Sequence, residues 1–215
     1  MSDILKKIKD WDFTSKDSSI SLNLNYIEIA EISDIVDRKL WYIGEIDDSV
    51  IETIIYNILR YNSIDKNIPI EKRKPIILYL NSVGGDTNSG LALLSAIKTS
   101  ITPVYTVTIG KAESMALIVA ISGHKRYSMP YTVYLMHDGL VGGVDNTSRM
   151  RDRMTFETDD LEKKIKDIIL EHTNLTKKQY DDKYRHEWYF LPEEAKKYGF
   201  TDYIIGEDCD INEII

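Results

Sequence analysis

Apolar runs of strand length alternate with segments whose apolar positions recur every three to four residues, and this alternation organises the chain from Leu40 onward. Leu40 to Ile46 reads as a buried strand. Ser49 and Glu52 then have the spacing of a capping box, and Ile51, Ile54, Ile55, Ile58 and Leu59 fall on one face of a helix. Ile64 to Lys74 is a polar loop with one proline. Pro75 to Leu80 is an unbroken apolar run, as expected of a strand covered on both faces. Asn81-Ser82-Val83-Gly84-Gly85-Asp86 follows, and then a helix to about Ser100.

Pro103 to Ile109 is a second buried strand. It breaks at Gly110 into Lys111-Ala112-Glu113-Ser114 and then into an apolar helix, Met115 to Ile121. Arg126 to Ser128 and Thr132 to Met136 are strands on either side of Pro130. Strands that alternate with helices in this way imply βαβ units with right-handed crossovers. Beyond the glycine-rich stretch 139–143 the chain turns highly charged and helical, from about Thr147 to His172. Met154, Leu161, Ile165, Ile168 and Ile169 make a narrow apolar stripe there, which suits either a surface helix or one that packs on another subunit. A threonine-led turn, Thr176 to Gln179, opens a short helix. Pro192 to Tyr198 is a helix closed by Gly199, and Asp202 to Ile205 is a last strand. Before Leu40 the pattern is weak: Ile20 to Tyr26 alternates at the strand period, and residues 1–38 read as a separate N-terminal segment before a domain over 39–215.

Composition narrows the function classes. With 43% apolar and 29% charged residues the chain is ordinary for a globular protein of 215 residues. It contains no apolar run long enough to span a membrane, and its N-terminus lacks the apolar core of a secretory signal. One cysteine, Cys209, excludes an internal disulfide and fits a reducing, cytoplasmic setting. The net charge is −8 with scattered basic residues, which argues against nucleic acid as a partner. The histidines are widely spaced and HExxH is absent, so no metal site is expected, and no cofactor motif is present.

The candidate chemistry lies at strand ends. Ser114 follows a strand and opens a helix, where the first amides lack partners and a developing negative charge would be stabilised. From position alone a capping role is the commoner one for such a serine. The GxSxG elbow of α/β-hydrolases is absent. Gly84-Gly85 offers amides that a carbonyl can approach without a Cβ in the way, but the pair does not complete a P-loop or a dinucleotide fingerprint. Of four histidines, His137 alone ends an apolar strand, where open α/β sheets build their sites. A structural role for it is equally open.

Taken together, these stretches resemble the proteolytic subunit of the Clp protease, ClpP, over roughly Leu40 to Ile205. The strand into Asn81-Ser82-Val83-Gly84-Gly85 matches that family's Asn-Ser-Pro-Gly-Gly turn, with valine in place of proline. Gly110-Lys111-Ala112-Glu113-Ser114-Met115 matches the segment of its nucleophile. Met136-His137 matches the pair that carries its base, and Pro192 to Gly199 matches its C-terminal Glu-Ala-x-x-Tyr-Gly helix.

The resemblance implies an α/β ClpP/crotonase-like fold, with repeated βαβ units and a protruding handle helix. It also implies Ser114 as nucleophile, His137 as base, and an oxyanion hole from the amides of Gly85 and Met115. The family's triad aspartate aligns with Glu187. Asp181 and Asp182 are nearby alternatives, and a dispensable acid is a third possibility. Peptides or unfolded proteins would be the substrates, heptameric rings or a tetradecamer the assembly, and an AAA+ Clp ATPase the partner, with residues 1–38 as an axial region. Two rivals follow from the same residues. One is acyl-CoA chemistry of the related crotonases. The other is an inactive ring scaffold, suggested by Glu113 beside the serine and by Glu187 in place of aspartate.

Overall fold

The computed structural model describes residues 26–140 and 142–214. The alternating stretch from Ile20 lies outside them except for Tyr26, which opens a helix, α1 (Tyr26–Val36), and not a strand. None of α1's residues is buried.

Seven strands form one sheet. β1 (Lys39–Ile46), β2 (Ile76–Gly85), β3 (Val104–Glu113), β4 (Lys125–Ser128) and β7 (Tyr203–Ile204) lie side by side in the order β1-β2-β3-β4-β7, every pair parallel. β5 (Val133–Met136) also pairs with β3, beyond the point where β4 ends, and β6 (Trp188–Phe190) adds to β5 antiparallel. The expected βαβ units are present: α2 (Tyr56–Asp65) joins β1 to β2, α3 (Thr87–Thr99) joins β2 to β3, and α4 (Met115–Ile121) joins β3 to β4. All seven residues of α4 are buried, which accounts for its lack of a polar face.

The helix after β1 departs from its sequence pattern. Its first turns, Ile51–Ile55, are π-helical, and the wider turn rotates the face. Val50, Ile54, Ile58 and Tyr61 go into the core, while Ile51 and Leu59 are exposed. Just before it the Asp47 carboxylate accepts the Ser49 N–H at 2.9 Å, and no side chain caps the π turn, where the sequence spacing predicts a Ser49–Glu52 box. The helix also runs two residues into the expected loop. There it delivers Asp65, whose side chain is fully buried, to a bidentate pair with Arg38 at 2.5 and 2.8 Å and to the Thr102 hydroxyl at 2.7 Å.

After β5, α5 (Thr147–Thr155), a π turn (Phe156–Leu161) and α6 (Glu162–His172) form one continuous helical stretch. No residue is buried before Leu161, and only Ile168 and Ile169 are buried after it. α7 (Lys177–Tyr184) begins with the Thr176–Gln179 capping box, and α8 (Pro192–Lys197) ends at Gly199 with φ 77°. Among the described residues no helix is long and apolar enough to cross a membrane.

Candidate active site

β3 ends at Glu113 and α4 begins at Met115, so Ser114 alone makes the corner between strand and helix. It adopts φ 54° and ψ −126°, a region that side-chain-bearing residues rarely occupy and that costs on the order of 1–3 kcal/mol. Its N–H donates to the Leu135 carbonyl and its own carbonyl accepts from Leu117 N–H, each at 3.0 Å. The corner is thereby held by β5 on one side and by the first turn of α4 on the other. Although Ser114 stands at the N-cap position, its hydroxyl makes no capping hydrogen bond. The commoner role for a serine in this position is not taken up.

The glycine pair explains how the chain can pass so close. A Cβ on Gly84 (φ 91°) would lie 2.6 Å from the Glu113 carbonyl oxygen, 2.8 Å from Ser114 Cβ and 2.9 Å from Met115 N. Gly85 (φ 145°) is equally confined, since a Cβ there would stand 2.3 Å from the Ile46 carbonyl oxygen. Gly84 is buried against the serine corner, whereas Gly85 is exposed. Asp86, the next residue, caps α3 by accepting the Ser89 N–H at 2.7 Å. Met115 is the first residue of α4, so its amide has no partner within the helix.

Ser114, Met115 and His137 line one cleft. His137 directly follows β5 and is half-buried. The other histidines are elsewhere: His124 Nδ1 lies 3.1 Å from Val104 N, His172 Nδ1 lies 2.9 Å from the Ile168 carbonyl oxygen, and His186 is exposed. The far wall of the cleft comes from the long helix. Leu161, Ile165 and Ile169 face Met115 and Ile118 across it, and Glu157, Glu162 and Tyr184 add polar groups. The apolar stripe read from the sequence therefore serves, in its second half, as a wall of the cleft.

Glu157, Glu162 and Tyr184 were not singled out in the sequence. The signal for Glu157 was available, because 157, 161, 165 and 169 form a single i, i+4 row. Burial raises the Glu162 carboxyl above the usual range, Asp138 adds to the rise, and Arg185 opposes it. Burial also pushes up the Tyr184 phenol.

The acid candidates are placed differently. Glu187 is exposed, immediately before β6, and does not line the cleft. The ladder's last pair is Met136 with Trp188, so His137 and Glu187 are the residues that adjoin it on the two strands, with no hydrogen bond between their side chains among the described residues. The charge of Glu187 is the first cause of the raised Tyr189 phenol, with a smaller contribution from Glu113. Asp181 is committed to an ion pair with Lys166, and Asp182 is exposed on α7. Glu113 pairs with Leu135, which pairs with Tyr189. It belongs to that row and does not line the cleft.

The sequence profile described as Clp protease matches residues 29–208. The chain belongs to the Clp protease family. It is a ClpP-like proteolytic subunit of mixed α/β fold. A Streptococcus mutans protein named ATP-dependent Clp protease proteolytic subunit is 30% identical over 174 residues, covering 79% of this chain and 85% of its own length. A Tropheryma whipplei protein named ATP-dependent Clp protease proteolytic subunit 2 is 32% identical, covering 80% and 92%. A ClpP subunit of Listeria monocytogenes carrying a point mutation superposes with a TM-score of 0.70 at 22% identity, over 86% of this chain and 99% of that one. At that identity the last likeness speaks for the fold.

Proposed function

We propose that this Clp protease family member is a serine endopeptidase whose triad is Ser114, His137 and Glu187. The observation that carries the reading is the conformation of Ser114. It is held at φ 54° with no capping bond, on a cleft it shares with His137. Strain kept at one residue by bonds on both sides is a hallmark of functional positions.

In this reading His137 accepts the Ser114 hydroxyl proton as Oγ attacks a peptide carbonyl. The carbonyl oxygen becomes an oxyanion facing the amides of Gly85 and Met115, each such donor being worth about 3 kcal/mol. His137 then gives its proton to the departing amine, and the C–N bond breaks to leave an acyl-serine. Water, deprotonated by His137, releases the acid product and restores the serine. Glu187 would hold the imidazole tautomer and favour the imidazolium; in support, Glu187 and His137 adjoin the last pair of the β5–β6 ladder, Met136 with Trp188. The carboxylate is one methylene longer than aspartate, and Ser-His-Glu triads on other folds show that such a group can serve. Acyl-CoA chemistry does not need a serine and a histidine on one cleft, and Glu113 lies outside the cleft lining, where its charge does not oppose an oxyanion from within.

The relatives carry names of subunits of an ATP-dependent protease, and we carry the assembly over on that basis. The active sites would face the inside of stacked rings, fed with unfolded polypeptide by a Clp ATPase, with residues 1–38 as the axial segment and 39–215 as the peptidase domain. Incubation with a fluorophosphonate probe, followed by intact-mass and peptide mapping, tests the chemistry. A single adduct on Ser114, absent from Ser114→Ala, is expected, together with loss of hydrolysis and unchanged assembly in that variant. If assembled particles take no label at Ser114, the serine mechanism is wrong and a ring scaffold becomes the better reading.

A further inference from the structure

The cleft beside Ser114 is not uniformly apolar. Its floor and walls, from Ile118 on α4 and Leu161, Ile165 and Ile169 on the long helix, would suit any aliphatic side chain. Two carboxylates of the same helix, Glu157 and Glu162, also line it. Both are only partly exposed, and neither carboxylate takes part in a hydrogen bond or ion pair among the described residues. Glu162 also borders an adjoining pocket that Lys163, Lys166 and Arg185 line, but none of these cations makes an ion pair with it among the described residues. Lys166 is paired with Asp181, and Arg185, exposed in that adjoining pocket, acts on Glu162 only through space. A pocket with an aliphatic shaft and unpaired carboxylates matches a long unbranched side chain with a cationic tip, because lysine and arginine lay their methylenes along apolar surface and keep the charge at the end.

We propose that this cleft selects lysine or arginine as the residue whose carbonyl is attacked, with Glu157 and Glu162 as the specificity-determining groups. The inference rests on the serine-peptidase reading above. Leucine would fill the shaft but leave both carboxylates without a partner. A cation at the tip would supply charge-assisted bonds to groups that already lack them. Discrimination of this kind is larger than what methylene packing alone gives, since a site built for a polar contact rejects the analogue that lacks it.

The test uses the full-length assembled protein and a pair of phosphonate probes that differ only in the side chain at the position bound by the cleft, one lysine-like and one leucine-like. The same two residues are then compared in peptide substrates by mass-spectrometric mapping of cleavage sites. Labelling of Ser114 at least tenfold faster by the lysine-like probe is expected, with the ratio falling at least tenfold in Glu157→Gln/Glu162→Gln. Retention of ring assembly in that variant shows that the change is local. Labelling of Ser114 that is equal, or faster with the leucine-like probe, overturns the selectivity and leaves the peptidase reading standing. No labelling of Ser114 by either probe overturns the peptidase reading and the pocket assignment with it.

Discussion

At the scale of single residues, the site depends on one close approach. Ser114 can keep φ 54° only because β2 passes beneath it with no side chain at Gly84. Gly84→Ala would bring a methyl within 2.6–2.9 Å of the Glu113 carbonyl, Ser114 and Met115 N, at a φ of 91° that alanine resists. Backbone must move, and it is the backbone that carries Ser114, the proposed nucleophile. Turnover is expected to fall by roughly a hundredfold, the scale on which a misplacement of about 1 Å acts, with stability reduced by more than about 1 kcal/mol. Measurement of kcat/KM and of urea denaturation separates the two effects, and unaltered turnover would show that the close packing is irrelevant to catalysis. The residue types of this site were legible in the sequence, as was their position at strand ends. The free hydroxyl of Ser114 was not, because a capping serine and a strained one look alike until the backbone angles are known.

At the scale of elements, one largely buried ion pair ties two strands to a helix. Asp65, at the end of α2, holds Arg38 just before β1 and the Thr102 hydroxyl just before β3. Arg38 lies 5.2 Å from the Tyr61 ring centroid, and burial raises that phenol to about 12. The hydrogen bonds from Arg38 hold the Asp65 carboxyl below its ordinary 3.8. A depressed carboxyl stabilises the fold fully above its unfolded pKa. That contribution is lost as pH falls through the folded value, so loss begins near pH 4 and deepens below it. Replacing Asp65 with asparagine removes this acid-dependent slope. It also leaves Arg38 buried without its partner, at an expected cost of about 3–5 kcal/mol at neutral pH. Urea denaturation from pH 2.5 to 7 for both proteins checks the sign, and parallel profiles would refute it. None of this was visible in the sequence, where Asp65 fell in a polar loop. The π turn after β1 was hidden for a related reason: apolar spacing assumes a regular 3.6-residue period, and the wider turn exchanges Ile51 and Leu59 for Val50 and Tyr61 in the core.

At the scale of the whole molecule, the stretch from Thr147 to His172 is a helix of roughly 40 Å whose first half buries nothing within the chain. Met154 and Phe156 stand 42% and 53% exposed on that half, too apolar for a surface that meets only water. If the helix is the handle through which two rings interlock, Met154→Asp/Phe156→Asp should halve the particle mass in sedimentation velocity without unfolding the subunit. An unchanged mass would place the ring contact elsewhere. The second half of the same helix has a separate task, since Leu161, Ile165 and Ile169 close the cleft on Ser114. On that reading assembly and cleft shape are joined through one element, and the halved particle is expected to lose turnover as well.

The sequence by itself determined the succession of elements: apolar runs at strand length, helical periodicity between them, and glycine where a strand must turn sharply. Those are local properties, set by neighbours a few residues apart, and they also placed Ser114, His137 and the Gly84-Gly85 turn at strand ends. Tertiary structure alone decided which ends meet. Parallel β2, β3 and β5 bring residues 84, 114 and 137 together, although 53 positions separate the first from the last. It also decided that a helix beginning far out on the surface returns to present Glu157 and Glu162 to the cleft. Proximity between distant segments comes from sheet register and helix packing, which no local pattern encodes.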